Sequence, residues 1–129
     1  MLKKIKALII KWRAILGLDW WNIDVSIEKT QPNSRATTEF AMGKYLASMK
    51  FDANYVKSDE DAEELVVHEL LHLFLTPYRE VLVDLMAYLP PEARKSFTIR
   101  FQRVDEQMVI KLSAVIYELR DRKEEKKEN

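Results

Sequence analysis

Cysteine is absent from the 129 residues, which excludes disulfides, cysteine-ligated zinc, iron–sulfur clusters and thiol nucleophiles. Glycine occurs twice and proline four times, too little for a collagenous or low-complexity chain, and no Gly-rich phosphate loop or nucleophile elbow is present. Excess charge of one sign is missing as well. Lys and Arg total 21 and Asp and Glu total 21, so no overall field draws the molecule to nucleic acid or an anionic membrane, and any such binding has to be local. No apolar run approaches the roughly 18–20 residues that span a bilayer. The basic start lacks a signal cleavage site and keeps Lys6 and Lys11, so the expected location is cytoplasmic. What remains is a globular composition, 47% hydrophobic and 33% charged, in a length that fits one domain, 1–129.

Apolar residues recur at three- and four-residue spacing from Leu2 through Ile5, Leu8, Ile9, Trp12 and Ile15 to Leu16, the stripe of an amphipathic helix that Gly17 ends. Trp21, Ile23, Val25 and Ile27 alternate with polar residues and predict a half-buried strand, followed by a turn at Gln31-Pro32-Asn33-Ser34. Residues 36–42 and 45–52 read as two further strands, with Gly43-Lys44 as their hairpin connection. Three strands with short links predict a small, mostly antiparallel sheet, and the fold class is α+β. From Ser58, an N-cap followed by Asp59, Glu60 and Asp61, the pattern turns helical over 59–75. Thr76-Pro77 interrupts it, a helix resumes over 78–89, and after Pro90-Pro91 a last helix runs to about 122 with Phe97, Phe101, Val104, Met108, Leu112, Val115 and Leu119 as its main apolar stripe. Residues 120–129 read as a fraying, solvated charge run.

Both histidines of the chain stand in Val66-Val67-His68-Glu69-Leu70-Leu71-His72-Leu73-Phe74-Leu75. Residues four apart share a helix face, so His68 and His72 are placed to hold one metal ion. Glu69, beside the first ligand, suits a general base acting on a water at that ion. Two randomly placed histidines fall four apart in roughly 1.5% of cases, and a Glu follows the first about a tenth of the time, so the H-E-x-x-H pattern arises by accident at roughly 0.15%. Every other residue of the segment is apolar, which places the helix in an interior where an ionised Glu69 needs a compensating partner. The competing reading makes His68 and His72 satisfied core residues and pairs Glu69 with Arg100 or Arg103.

Catalytic zinc takes three protein ligands and leaves a position for water. With no third His and no Cys, the third is Asp or Glu. Glu80 and Asp84 follow the Pro77 break and are placed for the surroundings of the ion. On the last helix Glu106 shares a face with Val109, Ile110 and Ser113, which favours Glu106 as ligand. Asp105, bordering the main stripe, is the alternative and suits a role orienting a histidine or an arginine.

At these residues the sequence resembles a small zincin metallopeptidase. His68-Glu69-Leu70-Leu71-His72 matches the zincin motif fully, and the order of helix, short sheet, motif helix and ligand helix is similar to that of minimal gluzincins and of H-E-x-x-H metallopeptidases from phages and prophages, over about 20–119. Glu106, Val109, Leu112 and Ser113 fit the gluzincin ligand pattern loosely, with Val and Ser where Ala is typical. The resemblance implies zinc-dependent endopeptidase activity on a peptide or protein substrate, Zn²⁺ on His68, His72 and Glu106, and Glu69 as base. It implies that 45–52 is the strand that holds an extended substrate, and that a tyrosine among Tyr78, Tyr88 and Tyr117 steadies the oxyanion. Two other classes compete. One is a catalytically silent, metal-stabilised protein-binding module. The other is a nucleic-acid contact through Lys3, Lys4, Lys6 and Lys11, which the neutral composition disfavours.

Overall fold

The computed structural model describes every residue except Gln31, Asn33, Met42 and Asn129. The expectations that fall on those four, two positions of the predicted turn, the end of the second strand run and the end of the charged tail, lie outside the described residues. The chain is described as two compact units, Met1–Thr76 and Pro77–Asn129.

In the first unit, the spacing of Ile5, Ile9 and Trp12 places all three on one stripe, and they are the buried residues of helix α1 (Leu2–Ile15). Its end is a Schellman motif: Gly17, at φ +71°, donates to the Ala14 carbonyl (3.3 Å) and Leu18 to the Arg13 carbonyl (2.8 Å). Strands β1 (Asn22–Ile27), β2 (Ala36–Ala41) and β3 (Leu46–Phe51) form a sheet in the order β1–β3–β2. The fold class is α+β as expected, but the sheet is mixed rather than mostly antiparallel. β2 and β3 make the expected antiparallel hairpin, whereas β1 runs parallel to β3, with Asn22 opposite Leu46 and Ile27 opposite Phe51.

The loop explains the strand order. Residues 28–35 form too long a link to force β1 and β2 together as a hairpin would, and β3 inserts between them. Ile27, Ala36 and Phe51 share one end of the sheet, so the link passes over the end of β3. Asp52 meets it there. Its carboxylate accepts from the Thr30 N–H (3.2 Å) and from the Asn54 N–H (3.0 Å), while its own N–H donates to the Arg35 carbonyl (3.1 Å). The Asn54 N–H does most to hold the Asp52 carboxyl below the usual carboxylate range, partial desolvation opposes it, and the Thr30 N–H and hydroxyl add to the lowering.

Side chains alternate across a sheet, and the two faces differ sharply. Ile23, Val25 and Ile27 of β1, Ala47, Met49 and Phe51 of β3, and Ala36, Thr38 and Phe40 of β2 share one face by register. Ala47, Met49 and Phe51 are buried there, beneath α1 and helix α2 (Asp59–Phe74). The opposite face carries Asn22, Asp24, Glu39 and Lys50. Ser58 caps α2 by accepting from the Asp61 N–H (3.1 Å), and Asp61 returns the favour to the Lys57 N–H (3.2 Å). Against α1, the Trp12 indole N–H (2.8 Å) and Lys11 (3.1 Å) converge on one oxygen of Glu63, and Lys4 pairs with Asp59.

The second unit is an antiparallel helical hairpin. Thr76 opens α3 (Thr76–Met86), with Pro77 in the first turn, where its missing donor is harmless. Arg94, in the first turns of α4 (Pro91–Glu128), donates to the carbonyls of Met86 (3.2 Å) and Leu89 (3.1 Å) and so closes the end of α3. Further along, the Arg79 guanidinium lies 5.9 Å from the Phe101 ring, which stacks on Phe97. The helix continues through Glu128, beyond the expected end near 122, with Arg122 paired to Glu118 one turn back. Among the described residues of α4, the buried ones are Asp105, Val109 and Ser113. They form one i, i+4, i+8 row rather than the expected main stripe, whose Val104, Met108, Val115 and Leu119 are exposed. Apolar residues on more than one side leave periodicity unable to select the packed side. At 100° per residue Val109 lies 40° from Asp105 and 60° from Glu106. Among the described residues no helix is long and apolar enough to cross a membrane.

Two outcomes follow from these contacts. Leu70, fully buried in α2, should cost about 2–5 kcal/mol when replaced by Ala, read from urea unfolding. Asp52→Asn should lower the melting temperature at neutral pH. Because the folded-state pKa is depressed, the stabilisation is complete above the unfolded value of about 4 and is lost as pH falls through the folded one. The gap in melting temperature between wild type and variant should therefore close in acid; a gap that persists unchanged would remove Asp52 from this role.

Candidate metal centre

Helix α2 is apolar around most of its circumference, with Ala62, Leu65, Val66, Val67, Leu70, Leu71 and Leu73 all buried. His68, Glu69 and His72 interrupt that surface together. The imidazoles stand one turn apart on one face, half-buried, with ring centroids separated by 5.1 Å and planes inclined by 72°. One nitrogen from each ring and one Glu69 carboxylate oxygen lie within 4.8 Å of one another. Two neutral-capable imidazoles and a carboxylate are the nitrogen and oxygen donors that a divalent transition ion takes, so the group fits such an ion by its chemistry and its proximity. The end of the helix is held as well, since Thr76 donates its hydroxyl to the His72 carbonyl (3.3 Å).

Glu69 retains only 5% of its exposure. The sequence requires a compensating partner for this carboxylate, and the structure supplies a hydroxyl: Thr38 of β2 donates to Glu69 Oε2. Sequence reading missed Thr38. Its signal is present nonetheless, because Ala36, Thr38 and Phe40 alternate inward along β2, and Thr38 is the polar residue among nine otherwise apolar inward positions. Arg100 and Arg103, the partners offered by the competing reading, are exposed.

The other candidates belong to the unit Pro77–Asn129. Glu106 is exposed and Asp105 is buried. This reverses the burial expected when Glu106 was placed on the Val109–Ser113 face. Tyr78 and Tyr88 are strongly exposed, and Tyr117 lies under the Arg120 guanidinium at 4.7 Å.

The strand expected to hold a substrate also changes. Residues 45–52 contain β3, the central strand, whose main chain is paired on both sides, so it offers no free edge for strand addition. β2 is an edge strand, and it is the one that reaches Glu69 through Thr38. The lysines of α1 are engaged at Lys4 and Lys11 by acids of α2, which counts against a basic face built for nucleic acid.

Compared with protein-family models, curated proteins and solved structures, the chain matches none.

Zinc titration with a competing chelator checks the donor set. Wild type should bind about one Zn²⁺ per chain, and His68→Ala and His72→Ala should each abolish stoichiometric binding while the far-ultraviolet circular dichroism keeps its helical form. Undiminished binding in both variants would place the ion elsewhere.

Proposed function

We propose that the chain is a small zincin-like metallopeptidase that hydrolyses peptide bonds with Zn²⁺. The observation that carries this reading is the gathering of His68, Glu69 and His72, spaced as H-E-x-x-H, on an otherwise apolar buried helix. His68 and His72 would hold the ion, and a carboxylate of α4 would complete the set. Glu106 is the residue that the family pattern selects, and Asp105, buried where Glu106 is exposed, is its rival. When bound, such an ion supplies Lewis acidity toward a carbonyl and makes a nearby water more acidic.

The protein's own residues do the rest. Glu69 accepts the proton of the attacking water and returns it to the leaving amine. Thr38 engages one oxygen of that carboxylate, and the second oxygen would take the proton. The edge of β2 fits an extended peptide, which would add to the sheet by main-chain hydrogen bonds beside Glu69. A second reading, a metal-stabilised module that binds a protein without turnover, is favoured by the exposed apolar residues Val81, Leu85, Val104 and Met108 of the helical hairpin. Complex formation indifferent to chelation and to Glu69→Gln would select it.

The deciding experiment is cleavage of a peptide library followed by mass spectrometry. Glu69→Gln should keep its zinc and lose at least about 100-fold in rate. Full activity in that variant would remove Glu69 as the base. Zinc content and rate in Glu106→Ala beside Asp105→Ala should fall in whichever carboxylate serves as ligand.

A further inference from the structure

We infer that Thr38 is the positioning residue for Glu69, holding its carboxylate in a single orientation through Oε2. This rests on the peptidase reading for its effect on rate, and on the structure alone for the contact. The Thr38 hydroxyl donates to Glu69 Oε2, joining the middle of β2 to the middle of α2.

Three features make the contact more than incidental. A strand favours Val at an inward position, and Val has the shape of Thr without the hydroxyl. The other eight inward positions of the sheet are Ile, Val, Ala, Met or Phe, so packing alone gives no reason for a hydroxyl at position 38. Thr is also stiff. Its branched Cβ restricts χ1, and its backbone is fixed by the ladder to β3, where Thr38 stands opposite the fully buried Met49. The donor is therefore presented from a rigid frame. A hydrogen bond to an ionised carboxylate is the strong kind, and the hydroxyl has one proton to give. Spending it on Oε2 fixes the side-chain torsions of Glu69 and distinguishes its two oxygens.

A group that acts through another is recognised by a rate effect separable from folding and from metal binding. The test compares wild type, Thr38→Val, Thr38→Ser and Glu69→Gln, each labelled at the glutamate carboxyl carbon for NMR. The Glu69 signal is identified by its loss in Glu69→Gln. In the zinc-free protein Thr38→Val should displace that signal, and Thr38→Ser should restore it. With zinc bound at unchanged stoichiometry, Thr38→Val should lose about 10–100-fold in kcat with KM little altered, and Thr38→Ser should recover most of the loss. An unmoved Glu69 signal in Thr38→Val, an unchanged kcat in an active enzyme, or a Ser variant no better than Val would overturn the inference. A wild type without hydrolysis whose Glu69 signal still moves and is rescued would retire the peptidase reading while supporting Thr38 as the anchor of Glu69.

Discussion

A carboxylate cannot be enclosed by aliphatic side chains without a donor to meet it, since an unpartnered buried charge costs several kcal/mol. That constraint organises the first unit. Leu65, Val66 and Leu73 lie within about 60° of Glu69 around α2 and are buried, so the rotation that buries them carries Glu69 inward. The hydroxyl at position 38 answers it. Once helix and strand are joined there, the two imidazoles are left half-buried on the adjoining face. Hydrophobic burial sets the orientation of α2, and the polar contact fixes its rotation and its height against β2.

The same economy appears in the charges. A net charge of zero conceals a basic first helix and an acidic start to α2, and the two neutralise each other across the α1–α2 contact through Lys4 with Asp59 and Lys11 with Glu63. Asp59 also lies in the first turn of α2, where the helix dipole favours it. Exposed pairs of this kind add little stability individually. Their greater effect is on register, because Trp12 shares the Glu63 oxygen with Lys11 and links the electrostatic edge of the contact to its buried centre.

Local signals were legible in the sequence, and non-local ones were not. The helix stripe of Ile5, Ile9 and Trp12, the Gly17 stop, the Ser58 cap and the alternation of β1 and β3 each rest on neighbours within a few residues, and the elements form where those signals stand. The clustering of His68, Glu69 and His72 follows from helical spacing and was readable for the same reason. Strand order was not readable, because it depends on where the 28–35 link is fastened, and the fastener, Asp52, looks like any polar residue at a strand end. Thr38 escaped because its meaning lies in a residue 31 positions away. On α4 the apolar residues outnumber the buried ones, and the widest stripe was mistaken for the packed row.

The parallel pairing of β1 with β3 bears on how the chain reaches its structure. Strands β2 and β3 are joined by a tight connection, and closing it removes little chain entropy. β1 and β3, in contrast, meet only across a separation of 24 residues between Asn22 and Leu46. The pairing of β1 with β3 therefore costs more chain entropy than the β2–β3 hairpin, and it is the part of the sheet that raises the contact order of the fold.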